Sequence, residues 1–109
     1  MTELAQRYKD RFFADSVHPY RTLERIVGER SRPEHTLLDA GCGYTAPILA
    51  KFRGRAARLI GVDLVKFDQS IDGIELYQRD LADTGLADAS VDVVMCRSVM
   101  EHVTNPLAV

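Results

Sequence analysis

The stretch LLDAGCGYTAP, residues 37–47, decides the fold of this chain. A short apolar run ends in Asp39, and Gly41 and Gly43 follow almost directly. A buried strand that turns through glycines into a helix presents backbone N–H groups and a positive helix terminus to a ligand. Such turns usually hold phosphates, which the carboxylate of Asp39 would repel. The stretch therefore predicts an α/β fold with a ligand at the turn, and it raises the question of which ligand tolerates that carboxylate.

Length and composition limit the classes of protein that the chain can represent. Its 109 residues are 46% hydrophobic and 28% charged, which is typical of one globular unit with a modest core. The formal net charge of -2, with Lys and Arg spread along the chain, argues against a nucleic-acid partner. A polar N-terminus and the lack of a long apolar run argue against a signal peptide and a membrane partner. We therefore expect a cytoplasmic protein.

The two cysteines, Cys42 and Cys96, have neither a metal-ligand spacing nor the pattern of a disulfide framework. We expect two reduced thiols and no bound metal.

The rest of the chain alternates between helical patterns and apolar runs. Residues 3–14 and 19–30 have the pattern of helices, with Pro19 in the first turn of the second. Apolar runs without alternation predict strands that are buried on both faces of a parallel sheet. These runs are residues 36–39, 59–63, 74–78 and 91–96. Strand, helix and strand recur, so the expected class is α/β.

The connections between the strands carry their own signals. Residues 46–52 predict a helix with Pro47 in its first turn and Thr45 as its side-chain cap. The link over residues 63–74 is short for a crossover helix, so it predicts an irregular loop or a single turn.

The residues alone leave two interpretations of the ligand. Gly41, Gly43 and Ala46 fit the dinucleotide fingerprint G-x-G-x-x-G/A, and Asp63 follows about 20 residues later. An NAD(P)-dependent oxidoreductase is therefore one candidate. Asp39 opposes it, because a carboxylate at the turn repels a pyrophosphate and attracts a ligand with an ammonium and a sulfonium. The turn thus favours S-adenosylmethionine.

These residues resemble the class I S-adenosylmethionine-dependent methyltransferases, in particular their type 11-like small-molecule group, whose first motif reads like LDLGCGTG. Thr45 stands where the family's last glycine usually lies. The resemblance covers roughly residues 35–106 and consists of several motifs in the family's order. The first motif falls on Asp39, Ala40, Gly41, Cys42 and Gly43, and it implies that they bind the cofactor.

The resemblance implies further cofactor-binding residues after the second and third strands. Asp63 falls on the acid that in the family binds both ribose hydroxyls, and a carboxylate has two acceptor oxygens for them. Leu64 would then lie beside the adenine. Asp80 and Leu81 match the acid and the apolar residue that meet the adenine edge in the family.

The segment LADASVDVVMCRSVMEHV, residues 86–103, resembles the family's fourth-strand motif. Cys96 and Arg97 match positions where the chain passes under the ligand, which implies that both belong to the cofactor site. Glu101 and His102 follow, and His102 is the candidate catalytic residue, as a general base near the acceptor. The other interpretation of His102 is an exposed or hydrogen-bonded histidine of a structural helix.

The implied reaction is direct displacement at the methyl carbon: a small-molecule acceptor attacks that carbon as the thioether departs, with positioning as the main contribution of the protein. Residues 1–34 are expected to form an N-terminal helical lid or cap segment that selects the acceptor. Residues 35–109 are expected to form a partial S-adenosylmethionine-binding Rossmann-like domain. The candidate lid residues are Tyr8, Arg11, Phe12, His18 and Tyr20.

Methyltransferases of this type resemble one another in a seven-stranded, doubly wound parallel sheet, and this chain supplies the first four strands, in the expected order 3-2-1-4. The domain is therefore expected to be truncated, with Asn105 and Pro106 as the cap and first turn of a further helix. The fourth strand would be an apolar edge, which predicts self-association through that edge. Besides the oxidoreductase, a cofactor-binding module without catalysis is the other alternative to an enzyme that transfers methyl groups.

Overall fold

The computed structural model describes residues 2–7, 19–97 and 103–109. Residues 3–7 are helical and exposed, and the later part of the predicted first helix lies outside the described residues. The further elements are α1 (Pro19–Arg30), β1 (Thr36–Ala40), α2 (Pro47–Ala50), β2 (Arg58–Asp63), β3 (Glu75–Gln78), β4 (Val93–Met95) and a 3₁₀ helix (Pro106–Ala108).

The strands form one parallel sheet in the order β3-β2-β1-β4. The central strand β1 pairs with β2 and β4, so that Leu38 lies opposite Ile60 on one side and Val94 on the other. This order confirms the expected Rossmann-like α/β class. Because the strands are parallel, their carboxyl ends meet at one edge, and the strand order reverses there between β1 and β4.

The sheet buries apolar side chains on both faces. Every residue of β1 is buried, as the continuous apolar run predicts. One face packs against the helices, through a core cluster that includes Val27, Leu37, Leu49, Phe52, Leu59 and Met95. The other face carries Leu38, Ile60 and Val62, which pack under side chains of the loop between β3 and β4, including Leu81, Leu86 and Val91. Contacts on both faces fix the position of the strand ends.

The helix after β1 differs from its prediction. It spans only Pro47–Ala50, with Pro47 in the first turn as expected. The predicted cap at Thr45 is wrong, because Ala46 occupies the N-cap position and no side chain caps the helix. Ala46 has a left-handed backbone, with φ of 44°, and is completely buried. Burial of this small residue against the core fixes the start of the helix where the sequence suggested a side-chain hydrogen bond.

Two strands are shorter than their apolar runs. The fourth begins at Val93 because the Oδ2 of Asp92 accepts a hydrogen bond of 2.7 Å from the Thr36 amide, while the Asp92 amide donates to the Thr36 carbonyl. The third begins at Glu75, since Ile74 forms an isolated antiparallel bridge with Ile71. The link before it contains no helix, which confirms the irregular loop expected there.

Several expectations fall on residues that the structure leaves undescribed. The lid candidates Tyr8, Arg11, Phe12 and His18 lie outside the described residues, as does the side chain of Tyr20. The division at residues 1–34 and 35–109 therefore stays a prediction. None of the described helices has the length and apolar character that a bilayer crossing needs.

Candidate functional site

A cavity of about 400 Å³ opens at the carboxyl edge of the sheet, where the strand order reverses. This volume falls within the range of small-molecule sites, roughly 300–1,000 Å³. The lining residues follow each of the four strands and are completed by the C-terminal segment. They are Gly41, Asp63, Leu64, Asp80, Leu81, Ala82, Arg97, Val103, Thr104, Asn105 and Val109.

The glycine turn after β1 is bound to the neighbouring strand by its own amides. The Gly41 amide donates a hydrogen bond of 2.7 Å to the carbonyl of Val62, and the Cys42 amide donates one of 3.3 Å to the same oxygen. Gly41 and Gly43 have φ of 90° and 76°, which glycine adopts without strain. A Cβ atom at Gly43 would meet nothing within 4 Å. The turn is therefore fixed in position and still open to approach.

Asp63 connects the turn to the cavity. Its Oδ2 accepts a hydrogen bond of 2.8 Å from the Gly43 amide, and its Oδ1 accepts a weaker one of 3.3 Å from the Val65 amide. A carboxylate offers about four acceptor positions. Asp63 therefore supports the turn and still has acceptor capacity for the hydroxyl groups of a ligand in the cavity.

Asp39 lies beneath the turn and not in the cavity. It is completely buried, and neither of its oxygens accepts a hydrogen bond from the described residues. Its nearest cation is Arg97, with 4.0 Å between Nη2 and Oδ2. Burial raises the pKa of Asp39 to about 6, and Arg97 opposes this rise. Arg97 itself lines the cavity, and Asp39 is its buried counter-ion.

The two cysteines have different environments. Cys42 is buried, and burial followed by the charges of Asp39 and Asp63 raises the pKa of its thiol to about 12, so it is an unreactive packing residue. Its Sγ occupies the space beside Gly61, where an added Cβ would lie 2.7 Å from that sulfur. Cys96 is exposed, and neither thiol forms a disulfide.

After β2 and β3, the cavity wall has an apolar surface and the carboxylate of Asp80. Asp80 holds a tight turn by accepting a hydrogen bond of 2.9 Å from the Ala82 amide. Leu64 is exposed beside Asp63, and Leu81 packs partly against the core below. Together they offer an apolar surface and a carboxylate at the ends of β2 and β3.

The cavity brings together part of the predicted set. Gly41, Asp63, Leu64, Asp80, Leu81 and Arg97 line it. The remaining predicted cofactor residues do not appear on its wall, namely Asp39, Ala40, Cys42, Gly43 and Cys96. His102, the predicted general base, and Glu101 lie outside the described residues. Within the described ranges, no three potential ligand side chains are grouped to hold a metal ion.

The C-terminal wall of the cavity was missed by sequence reasoning. Asn105 accepts a hydrogen bond of 3.2 Å from the Leu107 amide and so starts the 3₁₀ helix, as its predicted role as a cap requires. The Asn-Pro pair signalled this local turn. Nothing in the local pattern signalled that Val103, Thr104 and Val109 would line this cavity.

A family model described as a methyltransferase domain matches residues 38–109, well over half of the chain. The chain belongs to the methyltransferase domain family. Methyl transfer in general is therefore the function that this methyltransferase domain supports. The matched region begins within β1 and includes every residue that lines the cavity. No solved structure matches the chain with statistical significance.

Proposed function

We propose that this methyltransferase domain uses S-adenosylmethionine to methylate a small-molecule acceptor. The observation that carries the proposal is the Asp63 carboxylate, which lines the cavity and accepts a hydrogen bond from the amide of Gly43 in the glycine turn. This arrangement presents acceptor oxygens for a ribose directly beside an approachable backbone.

The residues present fit the nucleoside end of this cofactor. Asp63 would accept hydrogen bonds from the ribose hydroxyls, while Leu64 and Leu81 would contact the faces of the adenine. Asp80 would accept a hydrogen bond from the amino group at the adenine edge. The family match supports the same class of ligand, since it covers this whole group.

The amides of the glycine turn argue against a dinucleotide. A pyrophosphate at such a turn is held by backbone N–H groups that the protein leaves free. Here the Gly41 and Cys42 amides donate to Val62 and the Gly43 amide donates to Asp63. These three amides are therefore already hydrogen-bonded within the protein, and the carboxylate of Asp63 beside them adds repulsion.

When bound, S-adenosylmethionine supplies a methyl carbon that its sulfonium already activates. The chain then has to hold the cofactor and the acceptor at reacting distance, which alone lowers the barrier substantially. Asp63, Asp80 and the leucines would hold the nucleoside, and the rigid turn would set its depth in the cavity. His102 stays the proposed general base for an acceptor that must lose a proton.

Calorimetric titration with S-adenosylhomocysteine tests this proposal directly. We expect micromolar binding to the wild-type chain, loss of binding in Asp63→Ala and unchanged binding in Asp68→Ala. Asp68 is a matched control, because it is an exposed aspartate of the loop that follows Asp63 and does not line the cavity. Binding of reduced nicotinamide cofactor in place of S-adenosylhomocysteine would contradict the proposal. Cofactor binding without turnover on any acceptor would assign a binding module.

A further inference from the structure

The ionic groups of the cavity lie in a fixed order along the edge of the sheet. Asp80 follows β3, Asp63 ends β2, Gly41 follows β1 and Arg97 follows β4. Neighbouring strands are about 4.8 Å apart, so β4 lies roughly 10 Å from β2 and roughly 14 Å from β3. The cavity is therefore acidic at one end and has its cation at the other.

Arg97 is the only basic residue among the described residues that line the cavity. Its side chain is only 15% exposed, so its charge lies in a region where water screens it weakly. A planar guanidinium has five donors and matches a carboxylate in a two-pronged geometry. This end of the cavity is thus suited to a ligand with a carboxylate group.

Asp39 explains how the protein keeps that cation in place before a ligand binds. A largely buried guanidinium without a nearby anion is costly. Asp39 supplies the anion from beneath, 4.0 Å from the Nη2 atom, and has no described hydrogen-bond donor of its own. A carboxylate before a glycine turn is therefore tolerated here because it balances the charge of an arginine that follows the neighbouring strand.

We infer that Arg97 binds the carboxylate of the amino-acid end of the cofactor. This inference rests on the proposed function. The cofactor has its sugar hydroxyls and its carboxylate at separate ends, and the cavity has Asp63 at the end of β2 and Arg97 just after β4, with β1 between these strands. Arg97 then makes the cavity bind a cofactor that has this carboxylate more tightly than one that lacks it.

Two ligands that differ only in this carboxylate provide the test. S-adenosylhomocysteine carries it, and decarboxylated S-adenosylhomocysteine keeps the nucleoside and the amine without it. We expect the wild-type chain to bind the intact ligand at least tenfold more tightly, the effect of a charge-assisted pair. Arg97→Met should reduce this ratio to near one while leaving the affinity for the decarboxylated ligand within about twofold. Arg97→Lys keeps the positive charge but cannot form the two-pronged hydrogen bonds of a guanidinium, so it should give an intermediate ratio of affinities.

Further variants keep the test decisive. Arg97→Met leaves Asp39 as an uncompensated buried charge, so the double variant Asp39→Asn with Arg97→Met serves where the single variant fails to fold. It should show the same ratio near one. Arg32→Met replaces an exposed arginine away from the cavity and should keep the wild-type ratio.

The results separate this inference from the function on which it rests. An unchanged ratio without Arg97, a wild-type ratio near one, or an equal loss of both ligands from a folded variant would overturn the role of Arg97 and leave the cofactor proposal standing. If a folded wild-type chain binds neither ligand, the proposed function and this inference both fail.

Discussion

The amide of Gly43 donates a hydrogen bond of 2.8 Å to Oδ2 of Asp63, across the boundary between the first strand's turn and the end of the second strand. One carboxylate therefore fixes the glycine turn and faces the cavity. The residue proposed to bind the ribose is also the residue that shapes the backbone beside it. Its replacement should have a measurable effect even without a ligand.

Asp63→Ala is expected to expose the Gly43 amide to solvent exchange. A hydrogen bond to a charged acceptor contributes about 1.5–3 kcal/mol, so its loss should speed exchange at that amide by about tenfold or more. Amide hydrogen exchange followed by NMR in the ligand-free protein measures this. Asp68→Ala is the control, and unchanged protection at Gly43 in Asp63→Ala would show that other contacts hold the turn.

Asp39→Asn is expected to gain stability relative to the wild type as the pH rises from 4 to 8. Burial raises the pKa of Asp39 from its ordinary value of 3.8 to about 6, so the folded state favours the protonated acid. The stability that this group contributes is complete below pH 3.8 and is lost as the pH rises through about 6. As the pH rises through this range, the free energy of unfolding of the wild type should therefore fall by at most about 3 kcal/mol relative to that of the variant. Urea unfolding at pH 4 and pH 8 measures the difference, and a gap that stays constant with pH would contradict it.

Gly61→Ala is expected to destabilise the fold by overpacking. The added Cβ would lie 2.7 Å from the Sγ of Cys42 and 3.0 Å from Cδ2 of Leu76. Such overpacking costs about 1–3 kcal/mol. Adding Cys42→Ala should recover part of the loss, because the sulfur is the closest obstacle. Denaturant unfolding of both single variants and the double variant measures the coupling free energy between positions 61 and 42. Strictly additive effects would show that contact with the Cys42 sulfur is not the cause of the destabilisation.

The edge strand β4 is expected to mediate self-association of this chain. Among the described strands it pairs only with β1, and its Val94 is 58% exposed. Exposed apolar edges recruit other chains, whereas a lysine on the edge discourages pairing. Val94→Lys should therefore shift the chain toward monomer in sedimentation velocity at high micromolar concentration. A wild-type chain that is already monomeric there would remove the basis for this prediction.

The sequence predicted the features that local pattern and parallel topology determine. Continuous apolar runs marked the buried strands, and Pro47 marked the start of a helix. The position of Asp63 at the end of β2 and the strand order 3-2-1-4 also agree with the structure. The strands, the helix start and the position of Asp63 depend on neighbours along the chain, whereas the strand order was implied by the resemblance to the methyltransferases.

The remaining features depend on contacts between distant residues. The hydroxyl of Thr45 suits a helix cap, but the complete burial of Ala46 determines where the helix begins. The pairing of Asp39 with Arg97 joins the ends of β1 and β4, and no spacing rule signals it. Position 61 requires glycine because of the sulfur of Cys42, which lies in the turn after the neighbouring strand, and no local pattern signals this contact.

The pairing of β1 with β4 also has a consequence for the order of folding. Thr36 and Asp92 are hydrogen-bonded across these strands although they are 56 residues apart in sequence. Contacts of such separation form late, because a long loop must close before they contribute, whereas β1 and β2 are joined by a shorter segment. The cavity needs residues that follow all four strands, so it is complete only after β4 has joined the sheet. A ligand in this cavity therefore stabilises the fully assembled sheet and gives no support to the partly folded chain.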